Sequence, residues 1–133
     1  MNRGTTYVAL GQYKNSINDL NKAISLDLNL IMGYFNRGVA YSLIGQFQRA
    51  IEDYTNAISR GLTSSKAYET RGTAHHNLGQ LQQAIEDYSK AITLDSTLSE
   101  IYYKRGIAYS QLGNHVEADE DKARACALSR HHC

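Results

Sequence analysis

The 133-residue sequence has no proline and no tryptophan. Without proline, no position locks φ or loses its backbone N–H, so helix can run through almost the whole chain. Cysteine is scarce. Cys126 and Cys133 stand seven residues apart, a poor disulfide framework, which favours a reducing compartment and makes the cytoplasm the expected location. Long apolar runs are also missing. The longest, Leu30 to Phe35, is far too short to span a bilayer, and Met1-Asn2-Arg3-Gly4 carries no apolar core of a signal peptide. Neither charge is in excess: 14 basic residues against 13 acidic leave a net +1. Neither a nucleic-acid nor a membrane partner is therefore expected. An apolar share of 42% beside 20% charge still describes a folded chain rather than a disordered one.

What is present is a repeat. Asn2-Arg3-Gly4, Asn36-Arg37-Gly38, Thr70-Arg71-Gly72 and Lys104-Arg105-Gly106 follow one another at a step of 34 residues. Seven residues after each of these glycines comes another: Gly11, Gly45, Gly79 and Gly113. The same register holds Tyr7, Tyr41, His75 and Tyr109, then Ser16, Ala50, Ala84 and Ala118, then Leu20, Tyr54, Tyr88 and Lys122, and finally Ala23, Ala57, Ala91 and Ala125. A period of this length marks a stacked array of supersecondary units. The chain reads as one array over 1–133: a truncated first repeat over 1–30, repeats over 31–64 and 65–98, and a last over 99–133 with a polar capping helix.

Each unit reads as two helices. Ala50, Ile51, Tyr54, Ala57 and Ile58 recur at helical spacing in one arm, and Tyr34, Gly38 and Tyr41 in the other. The second glycine of each unit follows Leu10, Ile44, Leu78 or Leu112 and supplies the left-handed residue that ends the first helix. The first glycine lies inside a helix, at a cost of roughly 1 kcal/mol against alanine. Met four times at one position, that cost implies close approach of two backbones. Thr97 with Glu100 suggests a capping box for the last hairpin, and Ser64 and Asn29 are candidate caps for the two before it.

Arg3, Arg37, Arg71 and Arg105 each precede an aspartate by 16 residues: Asp19, Asp53, Asp87 and Asp121. In the second unit, Arg37 lies eight residues before Gly45 and Asp53 eight after it. An antiparallel hairpin turning at the glycine would bring them face to face. The reading is one structural ion pair per repeat, extended by Glu52, Glu86 and Glu120.

This pattern resembles the tetratricopeptide repeat family, over nearly the whole chain. With Ile31 as the first position of a unit, Tyr34, Gly38, Tyr41, Ala50, Tyr54 and Ala57 fall on the family's signature positions. Units starting at Ser65 and Ser99 match likewise, with His75 and Lys122 as departures. Tyrosine (Tyr34, Tyr68, Tyr102) stands where the family has tryptophan, and Leu62, Ser96 and Arg130 replace its late proline. Pentatricopeptide repeats, which read RNA, are one residue longer and usually basic, and fit less well. The resemblance implies an all-α, right-handed solenoid of antiparallel helix–turn–helix units, whose first helices line a concave groove.

Carried onto this sequence, the groove positions are Met32, Phe35, Asn36, Val39, Ser42 and Leu43 in one repeat. The next gives Lys66, Glu69, Thr70, Thr73, His76 and Asn77, and the last Glu100, Tyr103, Lys104, Ile107, Ser110 and Gln111. Some family members clamp the carboxylate end of chaperone tails. Here Phe35, Val39, Thr70 and Glu100 hold clamp positions, and only Lys104 keeps a positive charge in that region. The expected partner is therefore a protein segment, a peptide or helix with apolar residues and few charges, held by a non-catalytic scaffold.

Two alternatives stand beside this: self-assembly through an open N-terminal repeat, and an adaptor fragment of a larger enzyme. Asp119 and Lys122 give the last helix the polar face of an end cap. No catalytic residue and no cofactor are expected. His75, His76, His115, His131 and His132 do not form an i, i+4 pair with a third ligand, so no metal site is expected either. Cys126, flanked by alanines, reads as a small, partly buried residue. Glu117, Asp119, Glu120 and Asp121 on the last helix read as a solvated face.

Overall fold

The glycines that follow the first helix of each hairpin show how local chemistry stops a helix. The computed structural model describes the chain from Arg3 to Cys133 apart from Leu28, and its side chains from Leu10 onward. Among the described residues there are seven α-helices and one 3-10 turn, and no strand: α1 (Arg3–Leu26), α2 (Ile31–Leu43), α3 (Phe47–Ser59), α4 (Ser65–Asn77), α5 (Leu81–Leu94), α6 (Ser99–Gln111), α7 (His115–Leu128) and the turn Arg130–His132. After α2, Gly45 takes φ of +82°. Its N–H donates to the Ser42 carbonyl at 3.1 Å, and the Gln46 N–H donates to the Tyr41 carbonyl at 2.9 Å. This doubly hydrogen-bonded stop satisfies carbonyls the helix end leaves open. Gly79 and Gly113 repeat it with φ of +78° and +85°.

Gly11 does not. The expected turn there is absent, and α1 runs continuously from Arg3 to Leu26 with Gly11 inside it. A helical glycine costs only about 1 kcal/mol, so a turn forms only where packing of the two arms outweighs the broken helix. Two expected caps also fail. Ser64 does cap α4, accepting from the Ala67 N–H at 3.1 Å. Asn29 and Thr97 do not cap. Thr97 instead gives both its N–H (3.0 Å) and its hydroxyl (2.6 Å) to Asp95, and the residue before α6 is Leu98.

The helices gather into two units, Met1–Leu62 and Thr63–Cys133. In the first, α1 packs on α2 and α2 on α3, around Ile24, Tyr34 and Ala57. In the second, α4, α5, α6 and α7 pack in succession, around Ala84, Tyr88, Ala91 and Ile101. Within each hairpin the mid-helix glycine admits its partner. A Cβ at Gly38 would lie 2.7 Å from the buried Tyr54 ring and 3.3 Å from the Ala50 carbonyl oxygen. At Gly106, where Lys122 replaces that tyrosine, the nearest atom is the Ala118 carbonyl oxygen at 3.2 Å.

Three of the four expected ion pairs form, all bidentate. Arg37 donates to Asp53 at 2.8 and 2.6 Å. Arg71 donates to Asp87 at 2.8 and 2.7 Å, and Arg105 to Asp121 at 2.7 and 2.7 Å. Asp53, Asp87 and Asp121 are only 3%, 6% and 1% exposed, so each carboxylate has lost its water and depends on the guanidinium; Asp121 thus leaves the solvated face expected of it, because Arg105 draws it into the hairpin. Those hydrogen bonds raise the pKa of all three arginines against the opposing effect of burial. Glu52, Glu86 and Glu120 are exposed and do not extend the ladder. A polar group on the preceding helix does so instead: Asn21 accepts from Arg37 at 2.8 Å, and the Ser89 hydroxyl accepts from Arg105 at 3.1 Å. His75 joins too, with Nε2 3.7 Å from Asp87 and Nδ1 2.7 Å from Gln80. The fourth pair involves the Arg3 side chain, which lies outside the described residues.

Two outcomes are expected in urea denaturation. Gly38→Ala destabilises by roughly 1–3 kcal/mol through overpacking. Gly11→Ala, with nothing within 4 Å of its Cβ, stabilises by up to about 1 kcal/mol; a loss at Gly11 would mean that a turn forms there. For the ladder, Arg71→Ala and Asp87→Ala each cost roughly 2–4 kcal/mol, and the double variant costs clearly less than their sum. Additive costs would show that the pair is not coupled.

Candidate functional site

In the first unit the expected groove positions lie along one face of α2. Met32 and Leu43 are 50% and 55% exposed, Asn36 is exposed, and Phe35, Val39 and Ser42 are half-buried. Phe35 is turned partly inward. Its ring lies 5.6 Å from that of Tyr54, and it packs against the Ile24–Tyr34–Ala57 cluster. The Ser42 hydroxyl lies 3.2 Å from the Tyr54 hydroxyl. What this face presents to solvent is therefore thioether, isobutyl and amide.

In the second unit the corresponding residues of α4 and α6 join across one repeat step. Lys104 Nζ donates to Glu69 Oε1 at 2.8 Å and lies 3.4 Å from Glu100. Glu69 is 6% exposed; Lys66 approaches its other oxygen at 3.9 Å. His76 Nε2 and Gln111 Oε1 are 2.6 Å apart. The Thr70 hydroxyl donates to the Lys66 and Ala67 carbonyls, and the Thr73 hydroxyl pairs with Tyr88 at 3.1 Å. Most polar groups on this face already have partners within it, and two lysines face two glutamates, so the face carries no net charge. Asn77, Lys66, Gln111 and Tyr103 are exposed and Ile107 half-buried.

Sequence reasoning missed the end of the chain's last hairpin. Cys126 and Cys133 form a disulfide with Cα atoms 4.6 Å apart, a correction to the expectation of unpaired cysteines. On a continuous helix a spacing of seven places Cα atoms about 10.5 Å apart, too far for a disulfide. Here α7 ends at Leu128, and the extended backbone of Ser129 (φ −153°, ψ 123°) folds the segment back. The His132 ring then lies 4.9 Å from that of Tyr103, one of the expected groove residues. The ladder partners Asn21 and Ser89 were also missed, although each precedes its arginine by the same 16 residues and the period would have found them.

The electrostatics of Lys104 give a pH dependence. Burial disfavours its charge, but the hydrogen bond and attraction of Glu69, with Glu100, outweigh burial and hold its pKa above the ordinary lysine value. Burial acts in the opposite sense on Tyr88 and raises its pKa, because it disfavours the charged phenolate. A group whose folded-state pKa is raised stabilises the fold below its unfolded value, and that contribution disappears as pH rises through the folded value. Stability is therefore expected to fall above about pH 10. Lys104→Gln and Tyr88→Phe should each flatten the fall in urea midpoint between neutral and alkaline pH; an unchanged slope in both would refute the assignment.

Among the described residues, no group of three or more His, Cys, Asp or Glu side chains could hold a metal ion, and no helix is long and apolar enough to cross a membrane. Antiparallel hairpins at a fixed step, each held by its own buried ion pair, define an all-α helical-repeat solenoid. Family models described as TPR repeat match residues 4–45 and 62–113, and models described as tetratricopeptide repeat match residues 31–60 and 99–132. The chain belongs to the tetratricopeptide repeat family.

No curated protein matches. Among solved structures, MamA is similar at 27% identity and a TM-score of 0.88, over 98% of this chain and 76% of that one. The second TPR domain of Spaghetti (RPAP3), bound to the HSP90 peptide SRMEEVD, is similar at 28% identity and a TM-score of 0.71, over 74% and 92%. The Arabidopsis OM64 TPR domain is similar at 29% identity and a TM-score of 0.72, over 75% and 83%.

Proposed function

We propose that this chain is a protein-interaction scaffold that holds apolar, weakly charged segments of a partner on its groove faces: that of α2 in the first unit, and that of α4 and α6 in the second. The observation that carries this reading is the internal satisfaction of the polar groups on the α4–α6 face. Lys104 is engaged by Glu69 and Glu100, so it is not free to take a carboxylate. The peptide in the Spaghetti (RPAP3) complex, SRMEEVD, is acidic; a face with two lysines balanced by two glutamates suits a different ligand. Burying such a face costs little unpaired charge, and the exposed Met32, Leu43 and Tyr103 supply the apolar anchors that dominate peptide affinity. The family's role as a scaffold and the similarity to a peptide-bound domain support a protein partner.

The test is a pull-down from source-cell lysate with wild type beside a Met32→Ser, Leu43→Ser, Tyr103→Ala variant, followed by titration of the retained protein. All three side chains are exposed, so helical circular dichroism should be unchanged. Affinity is expected to fall by about tenfold or more. Equal retention by both proteins would reject the groove as the binding surface.

A further inference from the structure

In the first unit, one face of α1 meets the end of α2 and the start of α3 around a cavity of about 300 Å³. Lys14, Asn18 and Asn21 reach it from α1, at positions three or four residues apart on one helical face. Gln46 and Arg49 reach it from the turn and from α3, and the Tyr41 ring completes the polar part of its lining. The lining has two cations and no carboxylate.

The cations are not a demand of the fold. Two 34-residue steps further on, the same register positions hold Gln82 for Lys14, Glu86 for Asn18 and Glu117 for Arg49. The repeat therefore folds with amides or carboxylates at these places, and the first unit has reversed their charge. Nor are the cations engaged. Among the described residues Lys14 makes no hydrogen bond or ion pair, and Arg49 makes none beyond its stacking over the Tyr41 ring, 5.8 Å from the centroid. Stacking occupies a face of the guanidinium and leaves its in-plane N–H donors unfilled. The Asn21 amide oxygen already accepts from Arg37 at 2.8 Å, so what this amide has left to offer is its N–H donors. Two cations beside one cavity repel each other, and an anion bound there removes that cost.

We infer that this cavity binds a phosphate monoester, with Lys14 and Arg49 balancing its charge and the Asn21 amide donating to one of its oxygens. Such a group carries a charge of about −1.5 to −2 at pH 7 and three acceptor oxygens, which matches two cations and a donor amide. A single carboxylate would leave one cation unbalanced. The guanidinium fork suits two of the oxygens, and the ammonium acts as a point charge. The cavity shares no residue with the expected groove, so the site stands apart from the interaction face proposed above and its test needs no protein partner. A monoester arrives either on a small phosphorylated molecule or on a phosphorylated side chain, and the experiment separates these sources.

The isotope-labelled full chain is followed by amide NMR at constant ionic strength during titration with inorganic phosphate, N-acetyl-O-phosphoserine amide and acetate. Saturating shifts are expected with the two phosphates, confined to amides around Lys14–Asn21 and Gln46–Arg49. Lys14→Gln and Arg49→Glu bring in side chains that the second unit already carries in this register, at Gln82 and Glu117, so the rest of the spectrum should be unchanged. Each should weaken binding by about tenfold. Lys22→Gln removes the same charge from an exposed position of α1 outside the cavity and should leave affinity unaltered. Tighter binding of the phosphoserine amide than of inorganic phosphate, by about tenfold or more, assigns a phosphorylated side chain; equal binding assigns a small phosphorylated molecule. Both outcomes sustain the site. Shifts that never saturate, acetate acting as strongly as phosphate, or an equal loss in Lys22→Gln each overturn it, because general attraction to surface cations then accounts for the signal. If Arg49→Glu does not fold, Lys14→Gln decides alone, and unchanged affinity there rejects the site.

Discussion

The buried arginine–aspartate pair is the interaction on which the rest of the structure depends. An aspartate a few per cent exposed has lost most of its hydration, and an uncompensated charge there would cost several kcal/mol. Only a guanidinium presented as a planar fork can satisfy both oxygens at once. That demand fixes the axial register of the two helices, because a shift of one residue would separate the fork from the carboxylate. The third donor of Arg37 and of Arg105 then reaches back to the preceding helix, at Asn21 and Ser89. One side chain thus sets the pairing inside a hairpin and the stacking of a helix upon it. Tyrosine rings beside the guanidinium (Tyr34 and Tyr41, Tyr102 and Tyr109) surround the pair with apolar area while tolerating its charge.

The glycines and tyrosines follow from that register. With the charges paired, the backbones approach until a Cβ at Gly38 would meet the Tyr54 ring, and the Tyr54 hydroxyl ends beside Ser42. Lys122, at the same place in the last hairpin, spans the same interval differently: its Nζ donates to the Ser110 hydroxyl at 3.3 Å. A long cation extends toward solvent where a ring would pack, so the hydroxyl keeps its partner although the apolar contact is lost. A departure from the repeat pattern therefore preserves polar satisfaction and gives up packing.

Repeat length, the three turn glycines and the ion pairs are legible in the sequence because each depends on residues at a fixed offset. The misreadings share a different cause. Gly11 has the right neighbours in sequence, but whether a glycine turns or continues a helix depends on what its two arms bury, and spacing does not report that. Thr97 resembles a cap because Glu100 follows it, yet Asp95 two residues earlier competes for its hydroxyl and wins. The cysteines read as unpaired only while a helix is extended through Ser129. The groove residues are located by register alone, and register does not say that Phe35 packs inward on Tyr54 or that Glu69 is buried beneath Lys104.

That last point bears on recognition. A groove lined by charged and hydroxyl side chains reads, in sequence, as a site that offers hydrogen bonds. In the folded chain the Thr70 and Thr73 hydroxyls, the Lys104 ammonium and the His76 ring are already engaged. A ligand that sought them would have to break an existing bond for each new one, with little net gain. On the reading proposed above, selectivity on such a face would come from shape and exposed apolar area, with the exposed Asn77 and Gln111 beside it. On that reading, the same saturation that stabilises the stacking of α4 and α6 narrows what the scaffold would hold: a long acidic tail would find Lys104 already engaged, whereas a segment with spaced apolar residues would meet the surface the fold leaves open.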